Sequence, residues 1–525
     1  MNTVHVLDCT LRDGGYCNQW RFGFNNIKKI STGLIEAGID VIECGFLTNR
    51  VNFDKDVTKY TDVEQVEAIL PKDKRNQLFV AMLNYGEYDV NKIPICNGKS
   101  IDGIRVAFHK KNVKEALKVC EEIKTKGYKV FVQAMVSLSY SDDEFLELIS
   151  EVNRIEPYAF YIVDSFGMMK SKDLIRLLYM VEHNLQEKIW IGFHSHNNMQ
   201  LAYSNAQTIV GVKTSRNLII DSSVYGMGRG AGNLNTELFI DFLNENYDKD
   251  YLLKPILNII DEILSDFYQR NYWGYSLPNY ISAAHNAHPN YAEYLDDKKT
   301  LTVENIDEIF DMMDDEKKFE FDKEYIEELY QQYMARGKIQ EKHNEDLKTY
   351  LKNKSIVLIA PGKSSVEERK KIQSLSCNDD VIMVSINFEY DYIEPEFIFL
   401  SNIRRYKEFD KKRLEKCIIT SNVPTDKGYI RAKYNDLINL VDSVRDNAGL
   451  MAVKFFMTYE VKEILLAGFD GYSHDVKENY ANTQMSFISR NAVLDAMNEG
   501  MTKVLQEYKR QIKITFLTEP HFVKL

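Results

Sequence analysis

Eight short apolar runs fill the first 225 residues and restrict this chain more than any other feature. They are VHVLD (4–8), DVIECGF (40–46), LFVAML (78–83), DGIRVAF (102–108), KVFVQAMV (129–136), AFYIVD (159–164), KIWIGFH (188–194) and NLIIDSSV (217–224). The runs are nearly continuous in Val, Ile, Leu and Phe, as strands buried on both faces of a parallel sheet are. Helical patterns lie between them, such as Asn112–Lys126, apolar at Val113, Ala116, Leu117, Cys120 and Ile123. Eight strand–helix units predict an α/β fold, a (β/α)8 TIM barrel over residues 1–240; the count disfavours an open doubly wound sheet.

The rest of the 525 residues divides in two. Residues 241–345 carry no strand signal and read as an acidic, aromatic helical extension, with TVENIDEIFDMMDD and KEYIEELYQQYMARG as its helices. The charged stretch 340–354 reads as a solvated helix or linker. From 346 to 525 a second α/β pattern predicts a doubly wound, Rossmann-like domain. Its strands are placed at SIVLIAPG, 381–388, 397–402, 416–422, 461–470 and 512–520, and its helices at Asn447–Tyr459 and Ile488–Gln511.

Charge and cysteine narrow the function classes. Beyond residue 350 there are 26 basic against 24 acidic side chains, so the first 350 residues carry −14 of a net −12. Such a body is a poor nucleic-acid binder. The seven scattered cysteines, never in C-x-x-C spacing, argue for reduced thiols in a cytoplasmic protein. No apolar run approaches the ~18 residues of a membrane span, and the start lacks a signal-peptide pattern.

In a barrel the chemistry sits at the C-terminal ends of the strands. Arg12 and Asp13 follow strand 1 in DCTLRDGGY, and Glu43 lies within strand 2. Arg105 lies in strand 4 with His109 just beyond it, Asp164 ends strand 6, and His194 and His196 lie two apart where strand 7 ends. After strand 8 comes GMGRGAGN, with Gly228, Gly230 and Asn233. Two residues apart on an extended backbone, His194 and His196 face one way and suit a divalent metal, with Asp13 as an oxygen ligand. The plainer reading packs His194 in the barrel and caps a helix with His196. An amidohydrolase would want its H-x-H on strand 1 rather than strand 7. Arg12 is either a structural partner of Asp8 or Glu43, or a fixed positive charge that stabilises an enolate. Glu43 pairs with Arg12 or touches a metal-bound water. Arg105, His109, Asp164, Gly228 and Gly230 are candidate substrate contacts.

DCTLRDGGY, the H-x-H of FHSHNN and the glycine run GMGRGAGNLNTE together resemble the DRE-TIM metallolyases, over about residues 1–240. RVAFHKKNVKEALK and YIVDSFGMM are most similar to the 4-hydroxy-2-oxovalerate aldolase branch, and residues 273–295 to the helical extension of fused aldolases. The resemblance implies a carbon–carbon lyase or aldolase acting on a 2-oxo acid such as pyruvate, with an aldehyde as partner. Asp13, His194, His196 and Asn233 would hold the ion, Mn²⁺ or Mg²⁺ before Co²⁺ or Zn²⁺, and Arg12 would stabilise the enolate. Where the aldolases carry a histidine base, this chain has Tyr16, which needs a nearby cation to act near neutrality. Tyr16 is therefore a candidate base, with His109 and His288 as alternatives. The synthases' Glu-Gln is Gly15-Tyr16 here, which weakens an acyl-CoA condensing reading.

In the last domain, SIVLIAPGKSS places Gly362, Lys363, Ser364 and Ser365 at a helix start suited to phosphate. The segment from Asn447 to Asp470 resembles sialyltransferase-like glycan-biosynthesis domains. That resemblance implies a nucleotide or sugar-phosphate ligand and a place in polysaccharide-precursor metabolism. A domain that only packs or dimerises is the plainer alternative, and a homodimer is expected. A catalytically inactive glycan-assembly binding protein is the rival from another class.

Overall fold

The computed structural model describes residues 3–71, 74, 76–337, 344–482, 485 and 489–525. The chain forms two compact units, Met1–Glu293 with Asp314–Phe321, and Tyr294–Met313 with Asp322–Leu525. Residues 340–343 of the charged stretch, and Ile488 of a predicted helix, lie outside the described residues.

The first unit is built on eight parallel strands: β1 (Val4–Asp8), β2 (Val41–Leu47), β3 (Leu78–Asn84), β4 (Gly103–Phe108), β5 (Lys129–Ala134), β6 (Ala159–Asp164), β7 (Trp190–Ser195) and β8 (Leu218–Ser222). Each pairs with its neighbour in order, and β1 pairs with both β2 and β8, so the sheet closes into a barrel. All eight predicted strands are present. The outer apolar faces pack under the surrounding helices, among them Phe24–Ala37, Val113–Thr125 and Asp142–Ile155. After β2 and β3 the expected helices are replaced by 3₁₀ segments, Val63–Ile69 and Val90–Lys92. Residues 85–102, rich in Gly, Asn and Asp and holding Pro94, offer no apolar stripe for a helix to bury.

Period-two alternation sorts the barrel interior into layers. Leu7, Val41, Val80, Phe131, Ala159, Tyr161 and Ile219 form an apolar plug. Two residues further along β2, β4, β5, β7 and β8 come Glu43, Arg105, Gln133, His194 and Asp221, a polar layer toward the mouth. The register of β2 shifts between Glu43 and Phe46. Gly45, at φ +143°, permits that bulge, since a Cβ there would meet the Thr58 carbonyl oxygen at 2.2 Å.

The second unit holds a seven-stranded parallel sheet: β9 (Ser355–Ile359), β10 (Val381–Ile386), β11 (Phe397–Leu400), β12 (Cys417–Thr420), β13 (Ile430–Ala432), β14 (Glu463–Ala467) and β15 (Ile514–Phe516). Its order, β13-β12-β11-β10-β9-β14-β15, reverses direction between β9 and β14. The edge strand β13 was not expected, because three residues interrupted by Arg431 give too short an apolar signal. Helices Ala448–Met457 and Asn491–Tyr508 fall within the predicted ranges. Among the described residues of 241–345 there are helices and no strand, and the two units share them. No described helix is long and apolar enough to cross a membrane. All seven cysteines are free thiols.

Candidate active site at the barrel mouth

The chain turns into a short helix, Thr10–Asp13, directly after β1, which carries Arg12 and Asp13 over the polar layer. Asp13 is fully buried. Nε2 of His194 lies 3.4 Å from its Oδ2, and Nε2 of His196 lies 3.6 Å from the same atom. The two imidazoles stand nearly perpendicular, with ring centroids 5.2 Å apart. His196 also bridges to Asn233 through the backbone. Both Asp13 oxygens, the Oδ1 of Asn233 and the Nδ1 of His196 are buried and accept no hydrogen bond. These three side chains with unfilled lone pairs, together with Nε2 of His194 facing Asp13, make a donor set that fits a divalent cation.

Cys9 also lies close to Asp13 and His194. Burial, with Asp13, Asp221 and Glu43 nearby, pushes its thiol well above the ordinary range despite Arg12. It therefore stays a neutral thiol, a poor competitor for a hard cation. Burial alone would push Asp13 up, yet the Arg12 guanidinium and both imidazoles hold it well below the usual carboxylate range. Burial lowers His196 to about 3, so its ring is neutral and one of its nitrogens keeps a free lone pair.

Beneath these groups the charged layer alternates in sign. Arg12 donates from Nε to Glu43 Oε2 at 2.9 Å and pairs through Nη1 with Asp13 at 3.1 Å. Arg105 donates from Nη1 to the same Glu43 oxygen at 2.7 Å, and from Nη2 to Asp221. Asp221 in turn receives Nδ1 of His194 at 2.9 Å, fixing that ring with Nε2 toward Asp13. Arg105 is completely buried, and Gln133 offers its amide oxygen to the same guanidinium. It is therefore a support beneath the site rather than the substrate contact expected from sequence. Asp221 was missed. Its signal was a lone carboxylate within LIIDS, level with Glu43 and Arg105 in the alternation.

Other expected contacts also change role. Asp164, expected to touch substrate, accepts the backbone N–H groups of Met168 and Met169 and shapes the loop after β6. Burial raises it to about 6. Gly228 makes room for Asn233, whose Nδ2 would lie 2.1 Å from an added Cβ, and Gly230 at φ +64° makes room for Asn198. The loop thus seats a side chain of the protein. Tyr16 is 41% exposed, and its ring lies 5.5 Å from the Arg229 guanidinium. Desolvation pushes its phenol up, more than Arg229 pulls it down, which works against the expected role of Tyr16 as a base. His109, half-buried beyond β4, is pushed down by burial and stays neutral.

The predicted phosphate cradle in the second unit is closed by the protein's own acid. Asp470 accepts the Ser364 backbone N–H at 2.8 Å and the Ser364 hydroxyl. Ser365 donates to the Gly362 carbonyl and meets the Tyr390 hydroxyl at 2.9 Å, while Lys363 pairs with Glu478. A carboxylate at the helix start repels the anion expected there, and the helix Ser364–Glu367 is a single turn.

Residues 3–260 match the family model described as HMGL-like. The 4-hydroxy-2-oxovalerate aldolase of Pseudoalteromonas translucida is 27% identical over 271 residues, 50% of this chain and 76% of that protein. The 4-hydroxy-2-oxovalerate aldolase of Leptothrix cholodnii is 31% identical over 246 residues, 45% of this chain and 68% of the relative. Among solved structures, the HMG-CoA lyase of Brucella melitensis aligns at 15% identity with a TM-score of 0.40, covering 51% of this chain and 98% of that one.

Proposed function

Since the chain belongs to the HMGL-like family, we propose that its barrel is a divalent-metal-dependent carbon–carbon lyase, an aldolase acting on a 2-oxo acid. The observation that carries this reading is the approach of both histidine Nε2 atoms to one oxygen of Asp13. Asp13, His194, His196 and Asn233 would hold the ion, and their oxygen and imidazole donors suit Mn²⁺ or Mg²⁺. Such an ion acts as a Lewis acid on a 2-oxo acid carbonyl.

The chain's own residues supply the rest. Arg12, held by Glu43 and Asp13, has a buried Nη2 without a partner and presents a fixed positive charge to a developing enolate oxygen. Asp221 holds His194 in one tautomer, and Arg105 holds Asp221 and Glu43 in place. In the cleavage direction a base removes the hydroxyl proton, the C–C pair becomes the enolate, and the enolate carbon is then protonated. His109 and His288, both neutral near pH 7, are the groups able to exchange that proton. Pyruvate is the 2-oxo acid we assign. A sugar-derived aldehyde in glycan-precursor metabolism is the finer reading, and the segment from Asn447 to Asp470 is its support.

Pyruvate methyl deuterium exchange followed by NMR tests the proposal, on metal-stripped protein with Mn²⁺ or Mg²⁺ added back and His194→Ala as control. Ion-dependent exchange that the variant loses is expected. Ion binding without exchange would favour the rival, a binding protein with a silent barrel, for which Tyr16 in place of the relatives' histidine speaks.

A further inference from the structure

Arg12 and Arg105, the buried cations beneath the barrel mouth, each lie between two carboxylates, Glu43 with Asp13 and Glu43 with Asp221. Arg229, on the loop after β8, breaks that pattern. It is half-buried, and its hydrogen bonds go to neutral groups. Nη2 donates to the Ser165 carbonyl at 3.0 Å, and Nη1 meets Nε2 of His288 at 3.4 Å. Among the described residues no carboxylate is ion-paired with it, and its Nε is buried without a hydrogen-bond partner. A guanidinium carries five N–H donors, so these two contacts leave three unused.

The loop sets this charge against the candidate ion site. Gly228, lacking a Cβ, lets the Asn233 amide close on the backbone just before Arg229, and Gly230 does the same for Asn198 just after it. Burial first, and the Arg229 charge after it, push His288 below the usual imidazole range, and Arg229 acts in the same direction on His196. Phe166, itself buried, stands edge-on to His288 at 5.4 Å, and this apolar cover weakens screening by water. A guanidinium withdrawn from water without an anion is costly, and a bound anion offsets that cost.

The geometry points to Arg229 as the anchor for the carboxylate of the 2-oxo acid, the residue that makes the site select an acid over a neutral ketone. This rests on the lyase reading above. Arg12 faces the charge that develops on the enolate oxygen, whereas Arg229 takes the charge the substrate already carries. A charge present in ground state and transition state alike contributes uniform binding, which shows in KM rather than in kcat. A residue that only braced the loop against Ser165 would treat charged and neutral substrates alike.

The test uses the full chain with Mn²⁺ and compares wild type with two variants. Arg229→Gln loses the charge but keeps N–H donors, and Arg229→Lys keeps the charge. Methyl deuterium exchange is followed against concentration for pyruvate and for methyl pyruvate, whose ester is uncharged, and calorimetry with oxalate reads anion binding without turnover. In Arg229→Gln the KM for pyruvate should rise by about 10–100-fold, oxalate should bind more weakly by a similar factor, and the preference for pyruvate over methyl pyruvate should fall as far. Arg229→Lys should recover part of each loss. Pyruvate and methyl pyruvate slowing equally would overturn the anchor, as would unchanged oxalate affinity in Arg229→Gln, or a loss confined to kcat. A wild type that binds oxalate but exchanges no pyruvate refutes the lyase reading, and the oxalate affinities then decide the anchor by themselves. A wild type that binds no oxalate overturns the anchor.

Discussion

Replacing Arg105 by methionine removes the cation shared by the buried carboxylates Glu43 and Asp221. The side chain has no exposed surface, and its guanidinium bonds Glu43 Oε2 at 2.7 Å and Asp221 Oδ2. Afterwards Glu43 keeps Arg12 at 2.9 Å, but Asp221 keeps only the imidazole of His194. One negative charge is thus left uncompensated in the barrel interior. Breaking a buried pair on one side costs about 3–5 kcal/mol. Methionine fills most of the volume, so cavity formation contributes little. For a unit of about 300 residues, with an unfolding entropy of roughly 2.1 cal/mol/K per residue, that loss lowers the melting temperature by roughly 5–8 °C. The three tryptophans, Trp20, Trp190 and Trp273, all lie in the first unit, so tryptophan fluorescence follows the barrel alone. The decisive comparison is the double variant Arg105→Met, Asp221→Asn. If a stranded charge causes the loss, the second substitution should restore at least about 1 kcal/mol. A double variant less stable than Arg105→Met, or an Arg105→Met melt within about 2 °C of wild type, would refute the reasoning.

Three further outcomes are expected. Asp221→Asn should weaken Mn²⁺ binding by about 10–100-fold in calorimetry, because the His194 ring loses its orienting acceptor, while His194→Ala should abolish binding. Asp8 and Asp164 are both raised by burial from 3.8 to about 6, so the folded barrel takes up protons before the unfolded chain does. Their contribution to stability is complete below 3.8 and is lost as pH rises through about 6, worth roughly 2–3 kcal/mol each. The buried neutral His196 and His288 act in the opposite direction over the same range, because the unfolded chain protonates its histidines below about 6.5. The check is therefore the variant: Asp164→Asn should lower the melting temperature of metal-stripped protein at pH 5 relative to pH 7, compared with wild type. Finally, Tyr16→Phe should slow pyruvate methyl exchange by less than about 10-fold, whereas loss of a true general base costs 10²–10⁴-fold; a larger loss would return Tyr16 to that role.

The barrel and its mouth were legible for a local reason. Strands buried on both faces announce themselves as unbroken apolar runs, and eight of them admit few closed arrangements. A strand end also fixes which residues share a rim, so Asp13, His194 and His196 could be brought together from spacing alone. The short edge strand Ile430–Ala432 and the 3₁₀ connections after β2 and β3 escaped because their signals are weak or interrupted.

What the sequence by itself determined was thus the architecture and the rim on which polar side chains would meet. Only the tertiary structure decided their partners. Arg105 reaches Asp221, 116 residues away, through closure of the barrel, and is spent beneath the site instead of on a substrate. Asp470 fills the helix start at Ser364 from 106 residues downstream, which no local pattern announces. Arg229 meets His288 only because the segment beyond the barrel returns to its mouth. Periodicity is a property of neighbours along the chain, whereas charge pairing is settled by whichever distant group is desolvated beside it.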